Sequence, residues 1–215
     1  MTPETKLREV ICTLAASMFN RGLTNGASGN ISARLEDGGL LVTPTGSTMR
    51  ALDPARLSRF NAKGQLLSGD PPTKEMSLHS AFYDTRRTAG AVVHLHSTHS
   101  VALSMLPETN PDNVLPPLTA YSVMRLGKVA LLPYFRPGDP DMGQAVRGLA
   151  GRRAAVLLAN HGPVVAGKDL EAAVNAIEEL EETARLTLLT RGMHPQPLSP
   201  EQIRDVVEVF DVEWD

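Results

Sequence analysis

The chain has 215 residues, with 21 Lys+Arg against 24 Asp+Glu and a formal net charge of −3, which leaves no basic excess for a nucleic-acid surface. At 42% hydrophobic and 21% charged residues it has the makings of a packed core rather than of a disordered segment, and its one cysteine, Cys12, excludes an intrachain disulfide framework and fits a reducing compartment. The acid-bearing start holds no long apolar run, and no stretch reaches the roughly 20 apolar residues a membrane helix needs, so a cytoplasmic protein without membrane or nucleic-acid partners is expected.

Taken in chain order, Leu7, Val10, Ile11, Leu14, Met18 and Phe19 recur at three- and four-residue spacing and predict a helix from Thr5 to Asn20. Gly22 supplies its stop. The small polar run Thr24–Asn30 reads as a loop. Strands follow at Ile31–Leu35 and Leu40–Thr43 across the turn Asp37-Gly38-Gly39, and then a second polar loop at Pro44–Ser47. Leu66-Leu67 reads as a short strand. After the breaker Ser68–Thr73, Thr73 is the expected cap of a helix from Lys74 to Arg86. Ala91–His96 reads as a buried strand, and a helix is expected from Thr98 to Met105. Residues 107–117 are irregular. Lys128–Leu132 reads as a strand, Pro133–Asp139 as a loop into a helix ending near Leu149, and Ala155–Leu158 and Val164–Ala166 as strands around the turn at Asn160–Pro163. Asp169 caps a long helix to Leu189, and Ser199-Pro200-Glu201 opens a last short one. Without repeats or linkers, residues 1–215 read as one α/β domain.

Histidine carries the chemistry. Of six, three fall between positions 94 and 99. In a strand, residues two apart share a face, so His94 and His96 project together, as two ligands of one metal ion would. His161 sits in a turn between two strands. Three histidines with an open fourth position form a common catalytic zinc set, although a His-x-His pair alone also occurs as a structural feature. His99 falls beyond the strand and is not counted as a ligand, and His79 and His194 read as surface or packing residues. Glu75, near a helix start, fits either a carboxylate favoured by the helix dipole or an acid–base group beside the metal. The loops Gly26–Asn30 and Thr45–Ser47 suit an anion, although neither a Rossmann nor a P-loop fingerprint occurs. The acidic run Glu178–Glu182 reads as a solvated helix face or a subunit contact.

In order along the chain, Ser28-Gly29-Asn30-Ile31-Ser32, Thr43-Pro44-Thr45-Gly46, Glu75 after Pro72-Thr73-Lys74, Val93-His94-Leu95-His96-Ser97 and Ala159-Asn160-His161-Gly162 resemble the class II aldolase/adducin family. The resemblance reaches from the first helix to about residue 190. It implies a three-layer α/β/α fold with a central, mainly antiparallel sheet. It also implies a homotetramer with active sites between subunits, and a divalent metal, usually zinc, on His94, His96 and His161. Mn2+, Co2+ or Fe2+ would suit imidazoles too. Glu75 matches the family's acid–base residue, which can also ligate the metal. The substrate phosphate would bind near Asn30, Thr45, Gly46, Thr73 and Lys74.

Within the family, Val92–Ser100, Val123–Lys128, Leu132–Asp139, Leu157–Val165 and Glu178–Ala184 are similar to a group of 3-oxo-tetronate 4-phosphate decarboxylases. The function so implied is loss of CO2 from a phosphorylated sugar acid, giving dihydroxyacetone phosphate through a metal-stabilised enediolate. Glu75 would donate or accept the proton, with Tyr121, from the same or an adjacent subunit, as a second donor. An aldolase or other lyase on a different sugar phosphate, such as fuculose 1-phosphate, and a non-catalytic adducin-like binding module are the alternatives. The region after Arg191 matches poorly.

Overall fold

The computed structural model describes residues 2–214. Helix α1 (Pro3–Asn20) starts where expected, because the Thr2 hydroxyl accepts a hydrogen bond from the Thr5 N–H at 3.1 Å and Pro3 needs no donor partner at the first turn. Strands β1 (Asn30–Arg34), β2 (Leu40–Val42), β3 (Ser58–Phe60) and β4 (Leu66–Ser68) follow, then helix α2 (Met76–Thr85) and strand β5 (Ala91–His94). The second half holds α3 (Thr98–Ser104), α4 (Ala120–Leu126), β6 (Ala130–Leu132), α5 (Asp141–Gly148), β7 (Ala155–Leu158), β8 (Gly162–Gly167), α6 (Leu170–Leu189) and α7 (Pro200–Phe210).

The eight strands form one sheet in the order β4-β3-β2-β1-β5-β8-β7-β6. Every neighbouring pair is antiparallel except β6 and β7, so the expected mainly antiparallel sheet is present. Strand alternation splits the core into two layers. On one face Val93, Leu95, Leu157 and Val165 pack with Ile11 and Met18 of α1, Leu103 of α3 and Ile177 and Leu180 of α6. On the other, Val92, Val156, Leu158 and Val164 pack with Leu78 and Phe82 of α2 and Met142 and Val146 of α5. The result is α/β/α. With few aromatics, aliphatic side chains and methionine fill most of both layers; each one fully buried contributes roughly 1.5–3 kcal/mol.

Several boundaries depart from the sequence reading. The strand expected to reach His96 ends at His94. Helix α2 begins at Met76 rather than Lys74, with Glu75 at its cap position; the Thr73 hydroxyl accepts from the Glu75 N–H at 3.3 Å just ahead of the helix. Strand β3 is absent from the sequence reading, because Ser58-Arg59-Phe60 lacks apolar alternation. Arg59 is nevertheless buried there, paired with Glu4 at 3.1 Å and with Asp37. Helix α4 is a further element without a sequence signal. It lies inside a proline-rich stretch, yet Thr119 caps it, accepting from the Ser122 N–H at 3.1 Å, and Gly127 ends it at φ 60°. Helix α7 starts at the expected Ser199, which forms a reciprocal cap with Gln202.

Candidate active site

The site is assembled where β1, β5 and β8 lie side by side. The register sets Asn30 opposite His94 and His94 opposite Val164. Both Asn30 and His94 therefore point to the α2/α5 face, while Leu95 turns into the α1/α3/α6 layer. Past the end of β5 the chain bends, although the Leu95 N–H still donates to the Pro163 carbonyl at 3.2 Å. The bend brings the His96 Nε2 to 3.1 Å from the His94 Nε2. His161, in the turn between β7 and β8, places its Nε2 3.3 Å from the same atom. The turn fits because Gly162 follows: a Cβ there would lie 2.2 Å from the Leu95 carbonyl oxygen.

Three imidazole nitrogens thus converge on one point, and among the described residues His94, His96 and His161 form a group able to hold a metal ion. The fit is quantitative. Ligands about 2.0–2.1 Å from a tetrahedral zinc lie roughly 3.3–3.4 Å from one another, close to the separations found. The His94 Nδ1–H donates to the Pro163 carbonyl at 2.9 Å, which leaves its Nε2 lone pair facing the centre. Burial, with some help from the charges of His96 and His161 and against the pull of Glu75, lowers the His94 pKa to about 4. Its ring is therefore neutral, as a ligand must be. Burial lowers His96 as well. The Nδ1 of His161 is buried without a hydrogen-bond partner among the described residues.

Glu75 closes the cluster. Its Oε1 lies 3.3 Å from the His161 Nε2 and its Oε2 3.4 Å from the His94 Nε2. Burial alone would raise this carboxyl. The hydrogen bond with His161, the charge of His94 and the amide of Asn30 outweigh that and hold it well below the usual carboxylate range. The Asn30 Nδ2 donates to Oε2 at 2.7 Å, and the Asn30 Oδ1 meets the His79 Nε2. Asn30, expected at the phosphate, is thus engaged on both amide atoms inside the site. His79 is not a surface residue: it is fully buried. Sequence spacing gave no sign of this, because β1 and α2 meet only in the fold.

The other expected anion ligands gather at a neighbouring edge. The Thr45 N–H donates to the Pro71 carbonyl at 3.0 Å and the Thr73 N–H to the Thr43 carbonyl at 3.2 Å, which zips the two loops together. Thr45 and Gly46 line a cavity of about 280 Å3 with Ser47, Thr48, Arg56 and Asp70. Thr73 is buried beside it and Lys74 is exposed. The Pro133–Asp139 loop leans on Lys74, whose Cβ would be 3.3 Å from a Cβ at Gly138. Tyr121 is not brought to the triad within one chain. It is 60% exposed on α4 and lines a separate surface cavity with Arg21, Arg125 and Glu178.

The acidic run on α6 is only partly a solvated face. Glu178 pairs with Arg21, and Glu181 is buried. One Glu181 oxygen accepts from the His99 N–H at 2.9 Å and Nδ1 at 2.8 Å, the other from the Ser100 N–H at 2.9 Å and Oγ at 2.6 Å. His99 serves this cap.

Residues 9–188 match the model of the class II aldolase and adducin N-terminal domain. A 3-oxo-tetronate 4-phosphate decarboxylase of Escherichia coli K12 is 52% identical over 86% of this chain and 88% of its own. The crystal structure of the E. coli protein YgbL, described as an aldolase/epimerase/decarboxylase, superposes with a TM-score of 0.93 at 47% identity, over 95% of this chain and 99% of that one. An L-fuculose phosphate aldolase of E. coli K12 is more distant, at 33% identity over 95% of this chain and 94% of its own.

Proposed function

The chain belongs to the class II aldolase and adducin family, and from that premise we propose that it is a metal-dependent carboxy-lyase removing CO2 from a 3-oxo-tetronate 4-phosphate. The product is dihydroxyacetone phosphate. The observation that carries this reading is the convergence of the His94, His96 and His161 ring nitrogens on a single point, with the Glu75 carboxylate against two of them. The greater likeness to the decarboxylase than to the fuculose aldolase supports CO2 loss over aldol cleavage.

His94, His96 and His161 hold the cation through Nε2, with zinc the first choice. When bound, the cation supplies a Lewis acid for the negative charge that builds on the substrate's ketone oxygen as CO2 leaves. The remaining work belongs to side chains. The bond between the carboxylate carbon and its neighbour breaks, its electron pair moves toward the ketone oxygen, and the neighbouring carbon then takes a proton. Glu75 starts ionised, accepts a proton from the substrate hydroxyl beside the ketone and returns it to that carbon, and a proton from water restores the hydroxyl, so one proton is consumed for each CO2 released. Tyr121 acts as a second donor from an adjacent subunit of a homotetramer; its exposure away from its own triad supports that arrangement. Thr45, Gly46, Thr73 and Lys74 hold the phosphate, so binding energy from the unreactive end orients the reacting carbons. Asn30 contributes by anchoring Glu75. The single cysteine supports a cytoplasmic location.

The test is incubation of the zinc-loaded protein with a 3-oxo-tetronate 4-phosphate. Release of CO2 with formation of dihydroxyacetone phosphate is expected. No CO2, together with aldehyde release from a ketose 1-phosphate, would replace this reading by the aldolase one. No turnover of either substrate at full metal occupancy would leave a binding module.

A further inference from the structure

Behind Glu75 runs a file of buried polar side chains that the proposed reaction leaves without a task. The Tyr83 hydroxyl lies 2.9 Å from the Ser32 Oγ, which lies 2.7 Å from the His79 Nδ1; the His79 Nε2 meets the Asn30 Oδ1, and the Asn30 Nδ2 lies 2.7 Å from the Glu75 Oε2. Tyr83, His79 and Ser32 are buried on the α2 face of the sheet, and their side chains bond one another and Asn30 rather than His94, His96 or His161. We propose that His79 is a positioning residue, locked in its Nε2–H tautomer so that it turns the Asn30 amide nitrogen, not the oxygen, toward Glu75. The proposal rests on Glu75 being the acid–base group.

Only one arrangement of protons satisfies all four contacts. An ionised carboxylate accepts and cannot donate, so Asn30 must present its NH2. That leaves the Asn30 oxygen facing His79, which must answer with Nε2–H. The ring is fully buried, with an amide oxygen and a hydroxyl rather than a carboxylate against its two nitrogens, so it is neutral and its Nδ1 is a lone pair. The Ser32 hydroxyl must then donate to Nδ1 and accept from Tyr83, whose phenol keeps its proton because burial raises it. Every bond points one way, from Tyr83 to Glu75, and each polarises the next. The opposite tautomer would set a lone pair against the Asn30 oxygen. A turned amide would set that oxygen against the carboxylate. Either would free Glu75 from its anchor beside the ligand nitrogens, and a group misplaced by about 1 Å loses on the order of 100-fold in rate.

The first measurement uses the unaltered protein, metal-free and zinc-loaded, without substrate. Histidine 15N chemical shifts at neutral pH, with the His79 signals assigned through His79→Gln, are expected to show a neutral ring protonated on Nε2. An Nδ1–H tautomer or an imidazolium would overturn the proposal. The second compares two variants in the CO2 assay. His79→Leu is expected to lower kcat about 10- to 100-fold with KM nearly unchanged. His79→Gln, whose side-chain amide can donate to Asn30 in place of Nε2–H, is expected to restore most of that loss. Equal losses in both folded variants, or none in either, would overturn it. Failure of the unaltered enzyme to release CO2 would reject the decarboxylase reading alone, and the tautomer measurement would then decide for His79.

Discussion

Glu75 and Glu181 are both buried, with 6% and 7% of their surfaces exposed, yet the molecule uses them in opposite ways. Both oxygens of Glu181 are saturated by two backbone N–H groups, a hydroxyl and a ring N–H at the start of α3. All are donors, each placed by a helix end that would otherwise leave amides unsatisfied. Glu75 receives one firm bond, from Asn30, and turns its remaining valence toward the ring nitrogens of His94 and His161, which crowd one another and His96. Burial therefore does not separate a structural carboxylate from a chemical one. What separates them is whether the neighbours complete its hydrogen bonds or compete with it for one point in space.

Substitutions can press on this contrast. The largest effect is expected from His94→Ala: loss of tightly bound metal by elemental analysis and at least about a 1,000-fold fall in turnover, with the fold kept. Retained metal and activity would dissolve the distinction at its root. Next comes Glu75→Gln, expected to lower kcat by roughly 100- to 10,000-fold while metal stoichiometry and melting temperature change little. Glu181→Ala should show the reverse pattern. It strands the donors of α3, so denaturant unfolding should report a loss of about 2–4 kcal/mol, with kcat in the folded fraction falling far less than for Glu75→Gln.

Acid gives a finer probe. His79 is neutral in the fold, because burial holds its pKa at about 3 against the 6.5 of a free imidazole. Between those values the unfolded chain binds a proton that the folded one does not, so stability rises with pH and is lost as pH falls below 6.5. The expected slope is about 1.4 kcal/mol per pH unit from this one residue. Urea unfolding of the metal-free protein at pH 5 and pH 7 should show a pH dependence that is shallower by about that amount in His79→Gln; equal slopes would mean that the ring is not held neutral. The smallest effect is expected from Lys74→Ala at the open phosphate edge: a rise in KM of about tenfold with kcat unchanged, read from initial rates.

The two glutamates also mark how far sequence alone carries. The strand bearing His94 is legible because Ala91-Val92-Val93 is apolar and residues two apart share a face. The His161 turn is legible because Asn160-His161-Gly162-Pro163 interrupts two apolar runs. A single α/β domain follows from those strands alternating with helices, whereas the α/β/α layering is legible only through the family resemblance. What stays hidden is made by contacts far apart in the chain. Asn30 reaches Glu75 only because β1 pairs with β5 and α2 lies across both. His79 occupies an apolar helix face, where spacing cannot tell a packed ring from a wired one. Glu181 sits among acids that do face water, and only the docking of α3 on α6 singles it out. Arg59 likewise concealed a strand, because a buried guanidinium is tolerable only beside the carboxylates of Glu4 and Asp37.

The glycine after His161 has one more consequence. Its α-carbon rests against the carbonyl of Leu95 so closely that a methyl group would stand 2.2 Å from that oxygen. The spacing between the chain segments that carry His96 and His161 is therefore gauged by main chain touching main chain, with no side chain as the shim. Side chains in either core layer can change size without resetting that gauge, whereas one added carbon at position 162 would pry the two segments apart. The centre's dimensions are insulated from the packing around it, and they hang on an atom the protein leaves out.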